Sequence, residues 1–187
     1  IDIVSASSND NTIAWYENDG AADPTFTERE ITTSAGGASS VFTIDLDRDG
    51  DVDILSANSS DDEIIWFKND GAVDPTFTSI LIASDNKLAE DVFAIDMNND
   101  GDIDIVSAAK DADMITWYDN NGSQSFTERN ITTSADQAQS VYAADIDSDG
   151  DIDVLSAALN DEINWFENNG SQSFTKRTAV SSGLSDP

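Results

Sequence analysis

Apolar residues in this chain come in short bursts, broken by turn residues. "SVFTID" (Ser40–Asp45) alternates apolar with polar and is rich in β-formers, and "DILSA" (Asp53–Ala57) is a brief apolar run. "EIIWFK" (Glu63–Lys68) is aromatic and branched, and "FTSILIA" (Phe77–Ala83) alternates again. A period of two in runs this short predicts half-buried strands. Between them stand "DRDGD", "NSSDD" and "NDGAVDP", whose Asp, Asn, Gly and Pro are turn residues. No window offers an uninterrupted amphipathic helix. The pattern predicts four short antiparallel strands, A to D.

The same unit returns along the chain. "AWYENDG" at Ala14 recurs as "IWFKNDG" at Ile65, "TWYDNNG" at Thr116 and "NWFENNG" at Asn164. The tryptophans at 15, 66, 117 and 165 are therefore 51, 51 and 48 residues apart. A second landmark keeps step: "FTEREI" at Phe26, "FTSILI" at Phe77, "FTERNI" at Phe126 and "FTKRTA" at Phe174. A four-stranded unit with a period near fifty predicts an all-β fold, a β-propeller of four-stranded antiparallel blades. The units fall at about 1–39, 40–90, 91–139 and 140–187 in a single domain spanning 1–187. The first is partial, because the chain opens at strand B, which leaves fifteen strands. An open sheet edge invites pairing with another chain. The expectation is a piece of a longer array, or a protein that completes its sheet by association.

Charge changes the picture. Eight Lys and Arg against 38 Asp and Glu give a formal −30, which argues against nucleic acid or an anionic membrane as partner. Hydrophobic residues still make up 39%, regularly patterned and with four Trp, so a packed core is expected rather than disorder. There is no Cys and no His, which excludes disulfides, thiolate zinc sites and histidine-based nucleophile pairs. No long apolar run suggests a membrane span, and no signal peptide stands at the start. The opening Ile1 is read as the start of a processed or excised piece.

The acid is concentrated. "DLDRDGDVD" (Asp45–Asp53), "DMNNDGDID" (Asp96–Asp104) and "DIDSDGDID" (Asp145–Asp153) hold fourteen of the 38 acidic residues. Carboxylates packed this tightly repel one another, yet each run leads straight into an apolar strand. Calcium resolves the paradox, since it takes six to eight oxygen ligands and closely spaced carboxylates on a tight loop provide them. Alternating positions 45, 47, 49 and 53 turn their side chains to one centre. Residue 51 supplies a backbone carbonyl, and Gly50 permits the bend. A helix–loop–helix calcium motif needs Glu at the twelfth position, where Ser56, Ser107 and Ser156 stand instead. The loop belongs to a β-hairpin.

D-x-[DN]-x-D-G-D-x-D followed by [IV]-[LV]-S-A, once per unit, resembles the FG-GAP/VCBS repeat family, the integrin α-subunit-like calcium-binding β-propellers with related propeller lectins. The resemblance covers essentially the whole chain, and the motif is complete in three units. It implies a calcium loop between strands A and B, on the face opposite the ligand surface. Carried over, it assigns one site to Asp45, Asp47, Asp49, Asp51 and Asp53. A second falls to Asp96, Asn98, Asp100, Asp102 and Asp104, and a third to Asp145, Asp147, Asp149, Asp151 and Asp153. Asp2 aligns with Asp53 without its partners. Family members commonly have about seven blades, so four units depart from the pattern.

The Trp-aromatic pairs (Trp15-Tyr16, Trp66-Phe67, Trp117-Tyr118, Trp165-Phe166) point to opposite faces of a strand and are read as core between blades. The D–A and B–C connections vary more between units than the strands do. They are as well explained by recognition as by lack of constraint. The leading expectation is a non-enzymatic, calcium-stabilised binding module of a secreted or cell-surface protein. It would serve adhesion or carbohydrate recognition, lectin-like, with a glycan or protein ligand opposite the calcium loops. No nucleic acid and no membrane insertion are expected. A homo-oligomer, or part of a longer propeller, is the expected assembly. Alternatives are a structural fragment that self-assembles into a ring or array, and an accessory or catalytic domain of a polysaccharide-active enzyme.

Overall fold

The computed structural model of the protein describes residues 1–85, 87–159 and 162–181. Fifteen strands and no helix are found among them. β1 (Ile3–Ser7), β2 (Thr12–Asn18) and β3 (Phe26–Thr32) form a three-stranded sheet. β4 (Ala38–Ile44), β5 (Asp53–Asn58), β6 (Glu63–Asn69) and β7 (Phe77–Ala83) form the second sheet. β8 (Ala89–Ile95), β9 (Asp104–Ala109), β10 (Met114–Asn120) and β11 (Phe126–Thr132) form the third. β12 (Ala138–Ala144), β13 (Asp153–Ala158), β14 (Glu162–Asn168) and β15 (Phe174–Ser181) form the fourth. Each is an antiparallel meander in chain order, and the blade architecture expected from the sequence is the one observed.

The sheets pack through their inner strands, β1 against β4, β4 against β8 and β8 against β12. A blade is covered on both sides, so its second strand is buried along its whole length in β5 and β9. The outermost strand is largely exposed, as in β3 and β11. Ser56 and Ser107 lie fully buried in these strands, at the positions where a helical calcium motif would need Glu. Trp66 faces one inter-sheet layer with Leu46 and Tyr118, and Phe67 faces the layer on the other side with Ile13 and Ile54. Trp117 and Phe166 share the next layer. In the second and third sheets both rings of the pair are core, one per layer, whereas Trp15, Tyr16 and Trp165 in the outer two sheets are half-buried. Burying an aromatic removes roughly 150–250 Å² from water, worth about 4–6 kcal/mol as an upper estimate.

Two devices join the blades beyond apolar packing. Phe42, Phe93 and Tyr142, at matching places on β4, β8 and β12, stack as a tilted column with centroids 4.8 and 4.9 Å apart. Beside them Asp91 is a clamp. Its Oδ1 accepts from the Ser40 hydroxyl at 2.6 Å, and its Oδ2 from the Ser140 hydroxyl at 2.8 Å and the Val141 amide at 3.0 Å. One carboxylate thus ties the inner strands of three sheets.

The hairpins then sort the loops to two ends. The β4–β5 aspartate loop and the β6–β7 turn lie at one end of the second sheet. The β5–β6 turn and the β7–β8 connection lie at the other.

Candidate metal centre

The aspartate loop is built by its own side chains. Asp45 Oδ2 reaches over to accept the Gly50 amide at 3.0 Å, and Asp96 and Asp145 accept those of Gly101 and Gly150 at 2.9 and 3.1 Å. Further on, Asp51 N donates to Asp49 Oδ1 at 3.1 Å, Asp102 N to Asp100 Oδ1 at 2.8 Å and Asp151 N to Asp149 Oδ1 at 2.9 Å. Short polar side chains folding onto nearby amides are the usual way such turns are made. The chain bends at Gly50, Gly101 and Gly150, with φ of 99°, 101° and 97°, which L-residues with a Cβ rarely adopt.

The result is convergence. Asp45, Asp47 and Asp49 each bring a carboxylate oxygen within 4.8 Å of the others, and so do Asp145, Asp147 and Asp149. In the third sheet Asn98 replaces one carboxylate, and its amide donates to Asp100 Oδ2 at 2.9 Å. The other expected ligands sit elsewhere. The carboxylates of Asp51, Asp102 and Asp151 turn toward the neighbouring turn, lying where a Cβ on Gly71, Gly122 or Gly170 would be. Those glycines have φ of 68°, 73° and 72°, so both space and backbone demand Gly there. From residues 51, 102 and 151 the loop would receive the backbone carbonyl.

Asp53, Asp104 and Asp153 lie beneath the loops and are fully buried. Both oxygens of each already accept backbone amides. Asp53 takes Leu46 N at 3.1 Å and Asn69 N at 2.8 Å. Asp104 takes Met97 N at 3.0 Å and Asn120 N at 2.7 Å, and Asp153 takes Ile146 N at 3.2 Å and Asn168 N at 2.8 Å. They pin the loop to the following turn. Asp2 does the same for the first sheet, accepting Asn18 N at 3.0 Å. Burial pushes the Asp53 carboxyl up, and pushes that of Asp104 up to about 7, against the opposing pull of the amides. These charges are only partly stabilised by the protein itself.

A residue the sequence reading passed over faces the loops. It stands two places after the tryptophan: Lys68, Asp119 and Glu167 in turn, with Glu17 at the same place in the first sheet. The Lys68 ammonium contacts Asp47 Oδ2 and lies 3.1 Å from Asp49 Oδ2. Asp119 Oδ1 accepts from Asn98 Nδ2 at 3.3 Å. Glu167 lies near enough to Asp147 to join Asp149 and Asp153 in raising its carboxyl, behind the larger effect of lost hydration. The fixed fifty-residue step was the available signal.

The loops therefore fit a hard cation. They offer oxygen donors only, and Asp45 Oδ1 is buried with no hydrogen-bond partner, an arrangement that costs about 1–3 kcal/mol when nothing compensates it. One loop already accepts a positive charge, the Lys68 ammonium standing where a metal ion would compete. Asp45, Asp47 and Asp49, Asp96, Asn98 and Asp100, and Asp145, Asp147 and Asp149 would hold such ions.

The opposite end is stitched together. Asn11, Asp62 and Asp113, all at positive φ, accept the amides of Gly37, Leu88 and Gln137, each at 2.9 Å. The carbonyls of those three residues take the amides of Ser59, Lys110 and Leu159 from the next sheet at 3.1, 3.0 and 3.2 Å. The connections whose variability left their role open thus have a constrained backbone.

Fold and loops together define a β-propeller repeat protein whose blades carry aspartate-rich hairpins. The sequence matches the FG-GAP-like repeat over residues 1–56, 45–107 and 96–156, and the chain belongs to that family. Among solved structures it resembles a lectin of Agrocybe aegerita described as recognising non-reducing terminal N-acetylglucosamine. That match has 14% identity and a TM-score of 0.59, covering 95% of this chain and 52% of the other. It also resembles BBS1N, solved in complex with ARL6DN and soaked with lead, at 11% identity and a TM-score of 0.55, covering 92% and 51%. The likeness is one of fold, and the chain spans about half the length of either. No curated protein matches the sequence.

Proposed function

We propose that the chain is a calcium-stabilised, non-enzymatic β-propeller binding module of a secreted or cell-surface protein, recognising a carbohydrate or a protein. The observation that carries this reading is the convergence of three carboxylates in two of the three copies of one loop, with a buried donor oxygen left unpartnered in the first. An all-oxygen set on a tight hairpin loop suits calcium better than softer metals. Loose sites of this kind are filled in the millimolar calcium outside cells. The ligand surface is the end opposite the aspartate loops, where latched connections present variable side chains on a fixed backbone. The lectin likeness makes N-acetylglucosamine-terminated glycans the first probes. The described carboxylate clusters serve cation loops or structural hydrogen bonds, which is why no catalytic role is assigned.

The test is a glycan array with calcium-loaded protein, repeated in chelator, alongside thermal melting in both buffers. Calcium-dependent binding to one sugar class supports a lectin, and a blank array on folded, calcium-stabilised protein moves the reading to protein adhesion. Equal melting temperatures in calcium and chelator overturn the metal half. A second reading is association through the free edge of β1, which among the described residues pairs only with β2. A strictly monomeric mass in solution would count against it.

A further inference from the structure

Comparing the units at two positions separates the second from the rest. Opposite Trp15, Trp117 and Trp165 on the outer strand stand Arg29, Arg129 and Arg177, whereas opposite Trp66 stands Ile80. Each arginine holds the acid two places after its tryptophan: Arg29 to Glu17 at 2.8 Å, Arg129 to Asp119 at 2.7 Å and Arg177 to Glu167 at 2.7 Å. In the second unit both partners are exchanged at once, acid for Lys68 and arginine for Ile80. A cation over the tryptophan is retained, since Lys68 Nζ lies 5.7 Å from the Trp66 ring and the Arg129 guanidinium 5.4 Å from that of Trp117. What changes is where the charge is delivered. Lys68 reaches Asp47 and Asp49, two of the three converging carboxylates. Gln124 from the next sheet also donates to Asp47 Oδ2, at 3.1 Å.

We infer that the three loops are unequal: Lys68 is a tethered competitor that weakens divalent binding in the β4–β5 loop, so the loops of the third and fourth sheets fill first. This rests on the calcium reading above. Counting loop acids, Arg48, the facing residue and the arginine paired with it, five aspartates with Arg48 and Lys68 give −3, four with Asp119 and Arg129 give −4, and five with Glu167 and Arg177 give −5. A divalent ion entering the first loop must also displace the Lys68 ammonium, at the place where the other two loops face Asp119 and Glu167. Removing a positive charge at such range is expected to raise affinity at least about tenfold, even at the high effective dielectric of a protein surface.

The experiment is calorimetric titration of metal-free protein with calcium chloride, for wild type, Lys68→Met and Asp119→Lys. Methionine keeps apolar contact with Trp66 without the charge. Wild type should show two tight sites and one at least about tenfold weaker. Lys68→Met should bring the weak site into the tight class, and Asp119→Lys should move a tight site into the weak one. Three equal sites in wild type, with neither variant changing the isotherm, would overturn the inference while leaving the calcium reading intact. No heat and no change of melting temperature in any of the three proteins would sink the calcium reading itself, and the inference with it.

Discussion

Asp104 sits without solvent exposure, its two oxygens on the amides of Met97 and Asn120, and its carboxyl is raised to about 7 by burial. In the unfolded chain the same group titrates at about 3.9. The folded state thus binds the extra proton between these values, so this group's contribution to stability is fullest in acid and declines as pH rises toward 7. A neighbouring divalent ion would favour the carboxylate and flatten that decline. Melting temperatures of metal-free protein should fall from about pH 4 to pH 7, and Asp104→Asn should flatten the slope even while lowering the curve. An unchanged slope in the variant would remove Asp104 from the explanation. The type and spacing of this residue were legible in the sequence; its duty was not. Asp100 and Asp104 are both members of one alternating acidic run. Only the fold decides that one side chain turns up to the loop and the other down onto the amides of Met97 and of Asn120, sixteen residues away at the end of β10.

At the level of elements, strands were read almost to their ends, because each has a period of two and is bounded by Asn, Asp, Gly or Pro. The expected Ser40–Asp45 strand is β4 (Ala38–Ile44), shifted by a bulge between Ala38 and Ser40 that local pattern does not reveal. What joins the elements was harder to read. Asp91 occupies the place held by Ser40 and Ser140 in the neighbouring units, and its partners lie 49 to 51 residues away. An acid next to Glu90 at a strand start carries no sign of that. The latches at Asn11, Asp62 and Asp113 keep the repeat step, but their donors are backbone amides, which every residue has. Replacing Asp91 with Ala removes a charged acceptor from two hydroxyls and leaves the Val141 amide unpaired. That should cost about 3 kcal/mol, or roughly 6–12 °C for a chain of this size. Denaturant unfolding of Asp91→Ala beside Ser140→Ala would check it. A loss no larger than that of the serine variant would mean that the clamp holds only one pair of blades.

For the whole molecule, the formal −30 makes self-repulsion a general cost of folding, and two remedies are physically distinct. Salt screens all exposed charges alike, with a reach of about 3 Å at 1 M. Site-bound calcium neutralises a few carboxylates held in place by the fold; three ions would bring −30 to −24. Both should raise the melting temperature of metal-free protein, so a rise on adding calcium at low salt does not identify a site. Their combination does. An ion bound only by the folded state at a hundredfold its dissociation constant stabilises by about 2.7 kcal/mol per site, close to 5–11 °C here. That increment rests on short oxygen contacts rather than on long-range attraction, so much of it should survive in 1 M sodium chloride. Melting curves with and without calcium at low and high salt separate the two. A calcium effect that disappears at high salt would make the aspartate loops a diffuse acidic surface. One that persists, and that magnesium reproduces poorly because it demands six close ligands in near-octahedral array, would make them sites in which the repulsion among the carboxylates is relieved by a bound ion.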